Sequence, residues 1–298
     1  MTAEGLPVQR SCALLGVSES GYYAWRNRVP SKRQIRDAWV RGYVQAGQAG
    51  QAVQAVQAVH EATRGVYGSR RVWAELTQGL GLRVGRSQIE LVMSRAGLQG
   101  IPGKRGARTT RHEAPKPGDL VKRQFARAHP NQLWVTDVTE HRTREGKIYC
   151  AVVLDTFSRK VVGWAIDSAP NALLVTNALA MAIETRSPKP GTVIHSDHGT
   201  VFTSWVFTQR AKDAGLLPSM GAVGSCYDNS MIESFWGRMQ TELLNRNAWR
   251  TRLELANAIF EYLEVFHNRR RRHSMLGMRS PVEYEKLYEE NKLSRSEF

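Results

Sequence analysis

Residues 133–166 read LWVTDVTEHRTREGKIYCAVVLDTFSRKVVGWAI. Three apolar runs rich in β-formers lie within it, at 133–138, 147–155 and 160–166. Each has the length and composition of a strand. Ser158 and Arg159 mark a short hairpin turn between the second and third. Asp137 interrupts the apolar run of the first strand, and an unpaired charge buried in a strand is costly.

Outward from this stretch, residues 172–185 form a helix by their Ala, Leu and Met content, stopped by Pro188, Pro190 and Gly191. Residues 192–196 read as a fourth strand with Asp197 at its end. A helix follows at 203–214, then a Gly-rich loop at 221–229, then a helix that carries Glu233. Three antiparallel strands, a helix, a parallel strand and further helices predict a mixed α/β sheet. An acid inside the first strand then neighbours an acid at the end of the fourth, and a helical acid leans over both. Such a trio suits Mg²⁺, which takes oxygen ligands and is often held by a few carboxylates plus substrate phosphate. Two ions about 3.5–4 Å apart activate an attacking oxygen and stabilise a leaving one.

Each acid also has a plain structural reading. Glu233 completes a capping box with Ser230, Asp197 precedes Gly199 in a turn, and Asp137 is a strand-edge acid. Asp155 is read as a structural turn residue before Ser158. His195 and His198 flank Asp197, placed to orient it or to touch phosphate. Zinc is disfavoured, because no Cys pair or further His lies at suitable spacing. Asp228 and Asn229 cap or shape the loop before the Glu233 helix.

The segments NQLWVTDVT (131–139), YCAVVLDTFSRKVVGWA (149–165), HSDHGT (195–200), SCYDNSMIESFWGRMQTEL (225–243) and FHNRRRRHSMLGMRSPVEY (266–284) carry a family resemblance. So do the 35 residues between Asp197 and Glu233. The stretch resembles the catalytic core of DDE transposases and retroviral integrases, a ribonuclease H-like fold. It is more closely similar to the second-frame (OrfB-type) proteins of IS-three family insertion sequences. The resemblance implies that Asp137, Asp197 and Glu233 are a catalytic triad holding two Mg²⁺ or Mn²⁺ ions. It implies cleavage at insertion-element ends and strand transfer. It further implies double-stranded DNA as partner (terminal inverted repeats and target), a homo-oligomer that pairs two ends, and an upstream-frame protein of the same element. A cytoplasmic, nucleoid-associated location in a bacterium follows. One position departs from the pattern: Gln240 stands where the family carries Lys, seven residues after the Glu. Arg238 lies two residues off that stripe and is a candidate DNA contact.

The chain has 298 residues and a net charge of +15. Residues 1–130 hold 21 Lys+Arg against 8 Asp+Glu, or +13, and the remainder only 21 against 19, or +2. A basic front half points to a polyanion partner, most simply nucleic acid. The three cysteines, Cys12, Cys150 and Cys226, match neither a zinc pattern nor a disulfide framework. No signal peptide opens the chain, and no apolar run approaches the ~20 residues of a membrane span.

Four regions are expected: 1–60, 61–98, 99–130 and 131–288. In the first, 8–15 and a helix capped by Ser18 flank Gly16, as in a helix-turn-helix, with Tyr22, Tyr23 and Trp25 in the core. Residues 31–44 are basic and helical. The repeat QAGQAGQAVQAVQAV (45–59) reads as a helical spacer or linker without a stable apolar face. In the second region, helices at 71–77 and 87–96 form a helix-turn-helix, the second capped by Ser87. Arg70, Arg71, Arg86, Gln88 and Arg95 are its DNA candidates. The third is a basic linker. At the far end, 252–267 is an amphipathic helix, and Arg269, Arg270, Arg271 and Arg272 are expected on the DNA backbone. The tail after Tyr288 is expected to fray. The rival readings are a catalytically inactive DNA-binding regulator or transposase remnant, and a ribonuclease H-like nuclease without strand transfer.

Overall fold

A computed structural model describes residues 8, 9, 12, 16–27, 48–102, 121, 125, 127–220 and 230–296. The basic helix expected at 31–44, most of the linker and the loop at 221–229 lie outside them.

Apolar runs, buried on both faces, build the sheet. Its strands are β1 (Leu133–Thr143), β2 (Gly146–Asp155), β3 (Val161–Asp167), β4 (Val193–Ser196) and β5 (Leu217–Met220). Their order is β3-β2-β1-β4-β5. β1 pairs antiparallel with β2 and parallel with β4; β2–β3 is antiparallel and β4–β5 parallel. Side chains of period two divide between the two faces. Trp134, Ala151, Val153, Val162 and Ile194 pack beneath helices α5 (Ala172–Arg186) and α6 (Trp205–Asp213). Val135, Cys150, Val152, Leu154 and Val161 pack beneath α7 (Ser230–Glu242) and α8 (Arg252–Phe260). α5 lies at backbone distance from β3: a Cβ on Gly163 would stand 2.2 Å from the Ala178 carbonyl oxygen. The expected mixed α/β sheet is therefore present. β5 was not expected. It is short, carries Pro218 and pairs only with β4, an edge position where Pro is tolerated.

Ahead of the sheet, Gly16 turns at φ +64°, and the Ser18 hydroxyl accepts the Gly21 N–H (3.1 Å) to start α1 (Glu19–Arg26). Tyr23 is exposed rather than in the core. The repeat forms α2 (Gln48–Ala62) and does make an apolar face, contrary to the sequence reading: Val56 and Val59 are buried. Three-residue steps drift by about 60° on a helix of 3.6 residues per turn. Two steps from Val53 to Val59 therefore stay near the ~100° stripe that a neighbour covers. The neighbours are α3 (Ser69–Ala74, continuing as a π-helical turn over Glu75–Gly79) and α4 (Arg86–Arg95). α4 begins at Gly85 rather than at Ser87, with the Gln88 Oε1 accepting the Gly85 N–H at 2.8 Å. Ile89 and Met93 are its buried side.

The late helix also departs from the plain α pattern. α8 widens into π-helical turns over Glu261–Arg270, with Leu255, Ile259, Tyr262 and Leu263 buried and Phe266 partly so. α9 (Pro281–Ser296) runs past the point where fraying was expected. Tyr288 anchors it, edge-on to Phe157 (5.0 Å) and hydrogen-bonding His129 (2.5 Å).

Candidate active site

The parallel register sets the first two acids side by side. Val135 pairs with His195, so two residues further on Asp137 comes level with Asp197. Asp137 shares the sheet face of Val135, which α7 covers with Ile232, Phe235 and Met239. Glu233 lies in the first turn of that helix. One turn on, the Trp236 indole N–H donates to Asp137 Oδ2 (3.1 Å), and the Val138 N–H donates to Oδ1 (2.8 Å). Burial, with smaller contributions from the charges of Asp197 and Glu233, pushes the Asp137 carboxyl up to about 6 against these two hydrogen bonds. Glu233 is exposed and shifted upward by partial burial. Asp197 is exposed, with Oδ1 accepting the Gly199 N–H at 2.8 Å.

The chemistry of this donor set fits a hard divalent cation: all-oxygen, anionic, and open to solvent on two of its three members. The acids are neighbours rather than a closed cage. Among the described residues no three His, Cys, Asp or Glu side chains converge on one point. His195 is buried, bonded through Nδ1 to the Ser219 hydroxyl (3.0 Å) and edge-on to Phe125. His198 is exposed beside Asp197.

Asp155 answers to the fold. Its oxygens accept the N–H groups of Asn131 (2.8 Å) and Phe157 (2.9 Å), and Oδ2 meets the Arg186 guanidinium at 3.0 Å. Arg186 in turn binds Glu285 (2.8 Å), which fastens α9 to the sheet.

Residues 48–106 match the family described as an HTH-like domain. Residues 127–226 and 214–281 match two families described as integrase core domains. The chain is 36% identical over 283 residues to the transposase for insertion sequence element IS629 of Shigella sonnei, covering 93% of this chain and 90% of that protein. It is 35% identical to a putative transposase for IS986/IS6110 of Mycobacterium tuberculosis, covering 91% and 96%. To the transposase InsF for IS3A of Escherichia coli it is 31% identical, covering 93% of each. This chain belongs to the IS-three family of insertion-sequence transposases. Among solved structures, the HTLV-2 integrase catalytic core domain in complex with magnesium aligns with 53% of this chain and 97% of its own, at 20% identity and a TM-score of 0.40. The topology above stands without it.

The arginines expected on DNA divide into two groups. Arg70, Arg86, Arg95, Arg269 and Arg270 are exposed. Arg86 is held only by a surface pair with Glu90 (3.1 Å). Arg271 and Arg272 are corrected: both are buried and bound to acids. Arg271 grips Glu242 in a fork (2.7 and 2.5 Å), and Tyr262 donates a third bond to the same carboxylate (2.9 Å). Arg272 bridges Glu75 and Glu283, both at 2.7 Å. Arg71 is likewise turned inward, donating to the Arg272 carbonyl (3.0 Å) and lying over the Tyr67 ring. Gln88 is occupied by its capping bond. A run of four arginines was read as four phosphate contacts because sequence shows adjacency but not side. The widened π-helical turns send the first two outward, and the chain leaving them turns the other two in. The Arg272 contacts tie the helix-turn-helix unit to the core, because Glu75 and Tyr67 belong to one and Arg272 to the other.

One neighbour of the acids was not anticipated: Trp236 lies one turn past Glu233, and i,i+3 spacing was the available signal. Gln240 donates to Asn245 and does not point a charge at the acids.

Proposed function

We propose that this chain carries out DNA transposition by cutting DNA at the ends of its own insertion element and joining the freed ends to target DNA. The observation that carries this is Asp137: a half-buried acid on the central strand with Asp197 and Glu233 for neighbours and, among the described residues, no ion-pair partner. Two divalent ions, Mg²⁺ or Mn²⁺, held by Asp137, Asp197 and Glu233 would supply a nucleophilic oxygen and neutralise charge at the phosphodiester.

The protein's own groups define the rest. β1 and β4 fix two of the acids on a rigid sheet, and α7 brings the third over them. Trp236 holds one oxygen of Asp137 and leaves the carboxylate a single orientation. With its carboxyl near 6, Asp137 is mostly ionised at neutral pH, the form that binds cations. No side chain is needed as a covalent nucleophile. First a water and then the freed 3′-hydroxyl attacks in line at the same place. Arg70, Arg86 and Arg95, exposed on the helix-turn-helix unit, suit the terminal inverted repeats, and Arg269 and Arg270 suit flanking phosphate. A multimer holds two ends together, and an upstream-frame protein of the element completes the assembly.

The test is a strand-transfer assay with Mg²⁺ or Mn²⁺ on DNA carrying the element's own ends, beside Asp197→Asn. The reading predicts cut and joined products from the native chain and neither from the variant. Cutting without joining would make the chain a nuclease, and binding alone a regulator.

A further inference from the structure

The helix-turn-helix unit and the sheet are separated in sequence by the basic stretch 99–130, but the folded chain joins them at the segment that follows α7. The joint has an apolar part and a charged part. Phe266 packs against the core of the sheet and against the core of the helix-turn-helix unit, and its ring tilts against Tyr67 with centroids 6.3 Å apart. Beside it, the Tyr67 hydroxyl donates to the Arg270 carbonyl (2.7 Å) and accepts the Arg272 N–H (2.8 Å). The buried Arg272 guanidinium meets Glu75 of the helix-turn-helix unit on one side and Glu283 of α9 on the other. Arg71 donates to the Arg272 carbonyl (3.0 Å) and reaches Glu242 at 3.9 Å.

A joint of this kind is stiff. Desolvation of buried ions is offset only in one good geometry, so such pairs add little over apolar packing but penalise any displaced arrangement. Both ends of the joint are also in useful places. Arg71 follows the exposed Arg70, and Glu75 continues α3, so one end is fastened to the unit that carries the exposed arginines. At the other end, Glu242 is the last residue of α7. Glu233 stands nine residues earlier on the same helix, about 13.5 Å along its axis. One helix thus runs from the joint to the third acid.

We propose that the joint at Tyr67, Glu75 and Arg272 is a ruler, fixing the distance between the repeat held by the helix-turn-helix unit and the phosphodiester that the acids cut. This rests on the transposase reading. A unit tethered only by a flexible segment as long as 99–130 would range over roughly 30 Å. That is about nine nucleotide rises of 3.4 Å, so many bonds would reach the acids. A docked unit presents one. Tyr67, Glu75 and Arg272 are positioning residues and touch no reacting atom.

The full-length chain is tested on a duplex carrying the element's own end, with two readouts. One is the position of each cut, mapped to the nucleotide with Mg²⁺ or Mn²⁺. The other is the hydroxyl-radical footprint taken without either ion. Glu75→Arg sets a second cation against Arg272, and Tyr67→Phe removes the bridging hydroxyl; both act across the joint. Glu283→Gln weakens the core-side partner of the same arginine and is the control. Native protein and Glu283→Gln should cut at one bond. Glu75→Arg should still protect the repeat, scatter its cuts over neighbouring bonds and lose protection beyond the repeat. Tyr67→Phe should shift the same way by less. Cutting that declines only at the native bond, in step with the folded fraction, would make the joint merely structural and overturn the proposal. So would a Glu283→Gln protein that scatters its cuts as widely as Glu75→Arg. Failure of the transposase reading is seen separately, as a native footprint with no cut product. The ruler then stands or falls on whether Glu75→Arg loses the protection beyond the repeat.

Discussion

Two acids on neighbouring strands have opposite surroundings. Asp137 and Asp155 lie on paired strands, offset by three positions in register, and both are withdrawn from water. Asp155 is met by two backbone N–H groups and a guanidinium. Asp137 is met by one backbone N–H, an indole and two more acids. The first arrangement cancels a buried charge and holds the chain ends to the sheet. The second leaves charge crowded, which folding alone would not favour. An acid compensated from within serves the fold; an acid left among acids suits the cation proposed above.

The comparison can be broken most sharply by exchanging roles. Asp197→Asn should lower DNA cleavage by 10²-fold or more, the order of loss seen when one group stabilising transition-state charge is removed. Its melting temperature should stay within a degree or two of native. An active Asp197→Asn protein would remove the carboxylates from the chemistry. Glu242→Gln, at the paired end of the same helix, should behave the other way. It leaves Arg271 buried without its partner, at a cost of about 3–5 kcal/mol. Denaturant unfolding checks this, and a loss under 1 kcal/mol would show that the Arg271 pair does little for stability.

Asp155→Asn sharpens the same contrast on the sheet. It should cost about 3 kcal/mol rather than more, because Arg186 keeps Glu285. Any activity change should follow the folded fraction.

The pH dependence of the cation-free protein tests the crowding at Asp137. The folded-state value of Asp137, about 6, lies above its ordinary 3.8. The folded state therefore holds its proton to higher pH than the unfolded chain. Stability is greatest below about 4 and falls as pH rises through about 6, by up to roughly 3 kcal/mol from this group. Asp137→Asn should flatten the stability profile across that window.

The smallest effect is on the surface. Arg86→Ala breaks an exposed pair with Glu90 and should change stability by no more than about 0.5 kcal/mol. It should nonetheless weaken binding of element ends with a measurable change in salt slope.

Much of this was legible in the chain itself. The strands around Asp137 announce themselves because β-branched runs and a hairpin turn are local signals. The helices at 172–186 and 230–242 follow from composition and from the breakers around them. The edge strand β5 carried no such signal, being four residues long with a proline inside. The repeat helix was misjudged because its apolar face depends on which neighbour covers it, and a periodicity argument has no neighbour in view.

The same division holds for charge. The sequence by itself determined the sheet, the family and the order in which three acids occur. It could not tell which charges are cancelled, because partners such as Lys160 and Glu285 or Glu75 and Arg272 lie more than a hundred residues apart in the chain. Only the tertiary structure decided that Arg271 and Arg272 are buried struts while Arg269 and Arg270 stand exposed. Electrostatic energy depends on distance and on the solvent displaced, and both are set when the helices close over the sheet.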